Sequence, residues 1–378
     1  MHAPLNPAYR VEWRRFPELE TIVGHWRLLA ERAIEPNVFY EPAFALNAAR
    51  VFGADAGAIL VWTKLGRLMG LFPMRRERWR GGFGAALVGW THAYAPLGTP
   101  LVERDEAEAV IAAWLDHLGQ DPAMPALLLL PLIPERGPFA AALHAVVARS
   151  SRPNAAFSRH QRALLKPAAD RAGYLDRSVS VGKRKELRRL RRRLEETAPV
   201  TFTTAAATKE IGSALQDFLV LEASGWKGLA GTAAVHDAAT RSFLEMAVTT
   251  LASEGKARVD RLLLNGRAIA AAVTLRSGNT AWCWKIAYSE GLARFSPGVQ
   301  LMLDLTDSLL ANPTLERVDS CATADHPMID HIWRERLAVS DRLIGIKRSA
   351  WPFTLACRLE GLRRSGIAAA KALRDRFS

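Results

Sequence analysis

Residues Trp282–Leu305 read WCWKIAYSEGLARFSPGVQLMLDL, and the two halves of this stretch have different periods. Large residues alternate through Trp282, Trp284 and Ile286, the period of a strand, with Lys285 and Tyr288 at its end. A polar loop follows, and Ser296-Pro297-Gly298 then opens an apolar run through Leu301, Leu303 and Leu305. Serine at an N-cap with proline in the first turn predicts a helix start here. A strand that feeds a helix N-terminus leaves backbone N–H groups available to an anion. An ordinary strand–loop–helix joint has the same pattern, so the stretch alone leaves both readings open.

Working outward, the 378 residues are 49% hydrophobic and 24% charged, enough for two domains with sizeable cores. The net charge of +13 points to an anionic partner: a phosphorylated cofactor, nucleic acid or an acidic membrane surface. Cys283, Cys321 and Cys357 form no CxxC pair or zinc spacing, which predicts free thiols in a reducing compartment and no structural metal. The N-terminal MHAPLNPAYRVEWRRF lacks the apolar core of a signal peptide. No apolar run approaches the roughly 18 residues of a membrane span. The expected location is cytoplasmic.

Each half of the chain predicts the same order: helices, a three-stranded meander, helix, strand, helix, strand. In the first half the meander covers Ala58–Thr63, Leu68–Arg75 and Ala85–Trp90, with a strand near Ala155–Leu165 closing the lobe. In the second it covers Ala257–Leu264, Ala268–Arg276 and Thr280–Tyr288, with Asn265-Gly266 as a strong hairpin signal. A helix over Met328–Arg336 and a last strand over Asp341–Lys347 follow. No sequence repeat accompanies this order of elements. The predicted division is a first lobe over 1–165, a second over 166–348 and a basic helical tail over 349–378.

The segments GKRKELRRLRRRLEE, LEASGWKGLAGTA, WKIAYSEGLARFSPGVQL and VDSCATADHPMIDHIW together resemble the BioF2-like acetyltransferase domain of the GNAT superfamily. That domain occurs in CelD-like proteins of cellulose biosynthesis, and its relatives include the FemAB-type aminoacyltransferases. The resemblance covers residues 155–345; the first half fits by element order. It implies an α/β fold of two tandem GNAT-like lobes, each a mixed, largely antiparallel sheet flanked by helices. It also implies acyl transfer from acyl-CoA, acetyl-CoA first among them, to an amine. The acceptor would be a small molecule or a glycan, cell-envelope or polysaccharide precursor. In such folds the fourth strand splays from the fifth, and the donor's pyrophosphate meets the N-terminus of the next helix. Here that helix begins at Ser296-Pro297-Gly298-Val299-Gln300, which the resemblance makes the cofactor-binding segment. It departs from the usual Arg or Gln with a glycine-rich loop, and Pro297 removes one donor. The resemblance also admits two rivals: a FemAB-like transferase using aminoacyl-tRNA, and a non-catalytic scaffold in polysaccharide synthesis.

Acyl transfer to an amine needs a base and a polarised thioester. Asp319, at the end of the strand after the SPG helix, is a candidate base or equally a turn cap. His326 has a suitable ordinary pKa, though before Pro327 it can simply begin a helix. Glu222, at a helix end before Gly225-Trp226-Lys227-Gly228, is a third candidate or a solvated helix residue. Trp226, Lys227, Lys285 and Tyr288 are candidates for substrate binding. Cys321 reads as a buried thiol.

Two basic segments remain. Residues 183–196 place Leu187, Leu190 and Leu194 at helical spacing beneath a cationic surface densest over 183–193, which suits phosphates, tRNA included, but has no interleaved aromatics for base stacking. The tail over 350–378 mixes leucines with arginines and breaks near Gly366. It fits either an anionic membrane surface, placing the protein at the periphery of the inner membrane, or packing on the body.

Overall fold

The computed structural model describes residues 9–79, 84–167, 173–225, 228, 230–347 and 349–377. In chain order, β1 (Tyr9–Arg15) leads through a 3-10 turn to α1 (Val23–Arg32) and α2 (Pro42–Phe52). Then come β2 (Ala56–Thr63), β3 (Leu68–Arg78), β4 (Ala85–Gly89), β5 (Leu101–Val102), α3 (Ala107–Gln120), β6 (Leu127–Pro134) and α4 (Pro138–Arg149). The strand β7 (Asn154–Leu165) is followed by α5 (Tyr174–Ser178), α6 (Val181–Glu195), β8 (Val200–Ala205), α7 (Thr208–Ser224) and α8 (Ala238–Ser253). The chain continues with β9 (Ala257–Leu264), β10 (Arg267–Ser277), β11 (Thr280–Tyr288), α9 (Pro297–Leu310), β12 (Arg317–Asp319), β13 (Glu335–Gly345) and α10 (Trp351–Phe377).

Contacts gather these elements into two compact units that are not contiguous in sequence. One holds Met1–Asn37, Asp55–Arg159 and Val339–Ser378, the other Val38–Ala54 and His160–Ala338.

In the first unit the strands run β1-β2-β3-β4-β6-β13, with β5 beside β3. Neighbours are antiparallel except β4 and β6, which run parallel. A parallel pair needs a crossover, and α3 lies on it. β2 and the first part of β3 are buried almost continuously, so they lack the alternation of a half-exposed strand. Phe72 of β3 stacks on Trp114 of α3 at 4.0 Å between ring centres. Lys347 caps the other end of α3, donating to the carbonyls of Leu118 at 2.8 Å and Gly119 at 3.2 Å. A cation at a helix C-terminus is favourable, because it neutralises the unpaired carbonyls there.

The second unit repeats the pattern as β8-β9-β10-β11-β12-β7. β8 to β11 form an antiparallel meander, β11 and β12 are parallel across the α9 crossover, and β12 is antiparallel to the end of β7. At the β9–β10 turn Asn265 and Gly266 both take positive φ, 48° and 76°, as a type I′ hairpin requires.

Two sequence expectations change here. The strands expected to close each lobe are exchanged: residues 164 and 165 of β7 pair with β12, while residues 339–345 of β13 pair with β6. A strand's alternation fixes which face is buried but not which neighbour it joins. Residues 38–54 also belong to the second unit. Phe44 meets Phe243 at 5.3 Å and Trp284 at 5.4 Å, Phe39 meets Trp282 at 5.7 Å, and the buried Glu41 accepts from Lys256 at 2.5 Å. Edge-to-face aromatic contacts of this kind outweigh chain proximity.

Met328–Arg336, expected as a helix, holds only a 3-10 turn over Ile329–His331, and β13 begins at Glu335. Tertiary contacts override the helical spacing: the buried Trp333 donates to Thr306 Oγ1 at 2.9 Å, and Tyr174 donates to Glu335 at 2.7 Å. The tail is one unbroken helix over Trp351–Phe377, with no break at Gly366. One glycine costs about 1 kcal/mol relative to alanine, which the Ala-rich sequence after it offsets. Among the described residues no helix is long and apolar enough to cross a membrane.

Candidate active site

The gap between β11 and β12 sets the site. The two strands pair only through Thr280–Arg317, Ala281–Val318 and Trp282–Asp319. β12 ends at Asp319, whereas β11 runs six residues further to Tyr288. A strand that outruns its neighbour leaves backbone donors and acceptors facing the opening. β11 also carries a bulge: Val273 faces Lys285 and Thr274 faces Cys283, so Trp284 is the extra residue. Bulges re-aim the side chains that come after them. Trp284 itself is anchored among Phe44 and Phe243.

Asp319 maintains the divergence. It is buried, and its carboxylate accepts from Arg162 Nη2 at 2.5 Å and from the Cys321 N–H at 2.9 Å. Cys321 takes positive φ, and the chain turns there. Both carboxylate oxygens are thus held by the fold. Arg162 was not legible from sequence as a partner; the only signal is a lone arginine before the buried Ala163-Leu164-Leu165. Burial, reinforced by the Asp319 charge, pushes the Cys321 thiol up well above its ordinary pKa. Burial, with Asp260 nearby, pushes Cys283 up to about 12. Neither thiol is poised as a nucleophile.

His326 sits in the turn before the 3-10 segment, where its Nδ1 accepts from the Met328 N–H at 3.3 Å. It therefore caps a turn.

Glu222 lies in the last turn of α7 and is buried, and Oε2 accepts from the Ala234 N–H at 3.1 Å. Its side chain borders a cleft of about 40 Å³ shared with Gly225, Ile286, Tyr288 and Glu290. That volume suits a water or an amino group. Glu290 carried no sequence signal; Gly225 lets it approach, since a Cβ there would lie 3.2 Å from Glu290 Oε1. Lys285 stands 5.8 Å from the Trp284 ring centre. Trp226 and Lys227 lie outside the described residues.

Tyr288 links this cleft to α9. A Cβ added at Gly298 would fall 2.8 Å from Tyr288 Cδ1, so the ring rests on the first turn of the helix. Ser296 occupies the N-cap position with φ 52° and ψ 52°, and its side chain makes no capping bond. That differs from the expected serine cap, which needs extended backbone to aim its oxygen at the first turn. Pro297 has no N–H, and the Gln300 N–H donates to Ser296 O at 3.0 Å. Gly298 and Val299 are left as the helix-end donors without an intrahelical acceptor. The Gln300 side chain points the other way, donating to Leu187 O of α6 at 2.9 Å. Arg191 of α6 also pairs with Asp304 of α9 at 3.0 Å. The structure thus brings Glu222, Tyr288 and Gly298 together, and gives Asp319, His326 and Gln300 structural partners.

Gly298→Ala tests the Tyr288 packing. Overpacking of this kind costs about 1–3 kcal/mol, and here the half-exposed ring must swing aside. Urea unfolding should show that loss. An unchanged midpoint would mean that the ring does not rest on the helix.

Residues 182–326 match the family model of the acetyltransferase (GNAT) domain. Over these residues, within the second unit, the chain carries a GNAT-type acetyltransferase domain, and the first unit repeats its strand order. Solved structures share this fold. FemX aligns with a TM-score of 0.55 at 9% identity, over 85% of this chain and 95% of its own. The DUF2156 C-terminal domain of a lysylphosphatidylglycerol synthetase candidate from Agrobacterium fabrum gives 0.54 at 11% identity, over 90% and 95%. L-PGS from Bacillus licheniformis gives 0.50 at 12% identity, over 90% and 95%. A comparison with curated proteins finds no match.

Proposed function

We propose that the protein is an N-acyltransferase that moves an acyl group from acyl-CoA to an amine. The observation that carries this reading is the cleft on which Glu222 and Tyr288 meet, with Tyr288 packed on Gly298 at the start of α9. The thioester would enter the β11–β12 opening, its phosphates toward the Gly298 and Val299 N–H groups. Glu222 would take the proton of the acceptor's ammonium, and the freed amine would attack the thioester carbonyl to form the C–N bond, its second proton passing to the leaving thiolate. Backbone donors of β11 would polarise the carbonyl, and the C–S bond would break as the thiolate leaves and is protonated. Only two helix-end N–H groups are offered here, so Lys285 is a candidate for further phosphate contact. The acceptor class we carry is an amine on a sugar or cell-envelope precursor, with the protein acting in the cytoplasm.

Thermal unfolding with acetyl-CoA, longer acyl-CoAs and CoA tests the donor. A ligand bound only by the folded chain adds about 2.7 kcal/mol at a hundredfold excess over Kd. A rise with one thioester identifies its class; no rise with any sinks the CoA reading.

A second reading, an aminoacyl-tRNA donor, is favoured by α6. Lys185, Arg188, Arg189, Arg192 and Arg193 are exposed on the face opposite Leu187, Leu190 and Leu194, and α6 is tied to α9 through Gln300 and Arg191. Binding of tRNA that disappears when those cations are changed to glutamine, with a steep salt dependence, would support this reading.

A further inference from the structure

The C-terminal helix has an apolar surface on both sides. One side packs: Ala356 and Glu360 are buried, and Phe353 and Cys357 lie against the cluster of Trp79, Val88 and Leu343. The other carries Trp351, Leu355, Arg358 and Leu362, at i, i+4, i+7 and i+11, within one narrow arc of a helix turning 100° per residue. Trp351 is 67% exposed and Leu362 71%. Arg358 is exposed and makes no ion pair among the described residues. None of these residues has a role in the proposed acyl transfer, and a surface contact made by them stands or falls separately from it.

We infer that this face docks the protein on an anionic lipid bilayer. Three features select that partner. Tryptophan and leucine beside an unpaired arginine are the composition of a helix lying at the headgroup boundary, where the rings and leucines enter the acyl region and the guanidinium meets phosphate. The sequence from Gly361 to Ser378 adds Arg363, Arg364, Lys371, Arg374 and Arg376 against the single acid Asp375, which complements an anionic surface. A second copy fits less well, because a symmetric helix pair centred on this stripe would set Arg358 against its own counterpart. The helix is too polar to span, so it lies on the surface.

Flotation of the full chain with vesicles tests this. The chain should rise with phosphatidylcholine–phosphatidylglycerol vesicles and stay behind with phosphatidylcholine alone. Leu362→Asp and Trp351→Ser should each weaken binding about tenfold or more. Both side chains are exposed, so the unfolding temperature should hold; Arg358→Gln gives a second, milder variant expected to act mainly at low salt. Vesicle binding that survives all three changes would overturn the inference. So would binding that is lost only when the cations of α6 are neutralised. Absence of binding to the anionic vesicles, or a concentration-dependent dimer dissolved by Leu362→Asp, would overturn it as well, the latter naming a second copy as the occupant.

Discussion

Asp319→Ala should cost about 3–5 kcal/mol of stability, because it breaks a buried ion pair by removing the carboxylate that the Arg162 guanidinium meets. The two side chains are only 2% and 4% exposed, and they meet at 2.5 Å. The substitution also removes the acceptor for the Cys321 N–H, the bond that steers the chain away from β11. Urea unfolding of single variants should show the loss for Asp319→Ala and for Arg162→Ala alike. The double variant Arg162→Met/Asp319→Leu should recover much of it, since an apolar pair of similar volume needs no desolvated charge. If Asp319→Ala unfolds at the wild-type midpoint yet abolishes turnover, Asp319 is a base and not a strut.

The same residue shows where sequence reading reaches its limit. Asp319 stands at the end of the strand that comes after the SPG helix, and its placement there needs nothing beyond alternation and helix starts. Its role depends on Arg162, 157 positions away. No local pattern announces such a partner. The meanders, α9 and the basic α6 were legible because each has a strong period of its own: alternation for β9 to β11, three leucines at helical spacing for α6. The exchange of β7 and β13 was not, because both strands read alike whichever sheet receives them. Nothing local to Phe39 and Phe44 assigns them to a sheet; their contacts with Trp282 and Trp284 explain why they join the second unit. The place of Tyr288 at the end of β11 was legible from the alternation of that strand. Its contact with Gly298 stems from the missing Cβ, which sequence offers only as a glycine in a helix start.

Glu222→Gln should lower kcat by about a hundred- to ten-thousandfold while leaving donor binding nearly unchanged, the signature of a lost general base. The amide keeps an oxygen that can accept from the Ala234 N–H, the contact that Glu222 makes at 3.1 Å, so the end of α7 should stay folded. The amide cannot take the proton that an acceptor arriving as ammonium must lose before its nitrogen attacks. The deficit should therefore narrow as pH rises, because the acceptor then arrives already deprotonated. His326→Gln supplies the contrast: among the described residues its ring accepts from the neighbouring Met328 N–H alone, and its loss should touch turnover little. Steady-state rates across pH, with acyl-CoA-induced stabilisation measured on each variant, separate the cases. A Glu222→Gln enzyme within a few fold of wild type would move the base elsewhere in the cleft, with Glu290 next in line. A rate lost in proportion to stability would make Glu222 a helix-end anchor. Only a large, pH-rescued loss in a fully folded, donor-binding protein fits proton transfer at the floor of the cleft.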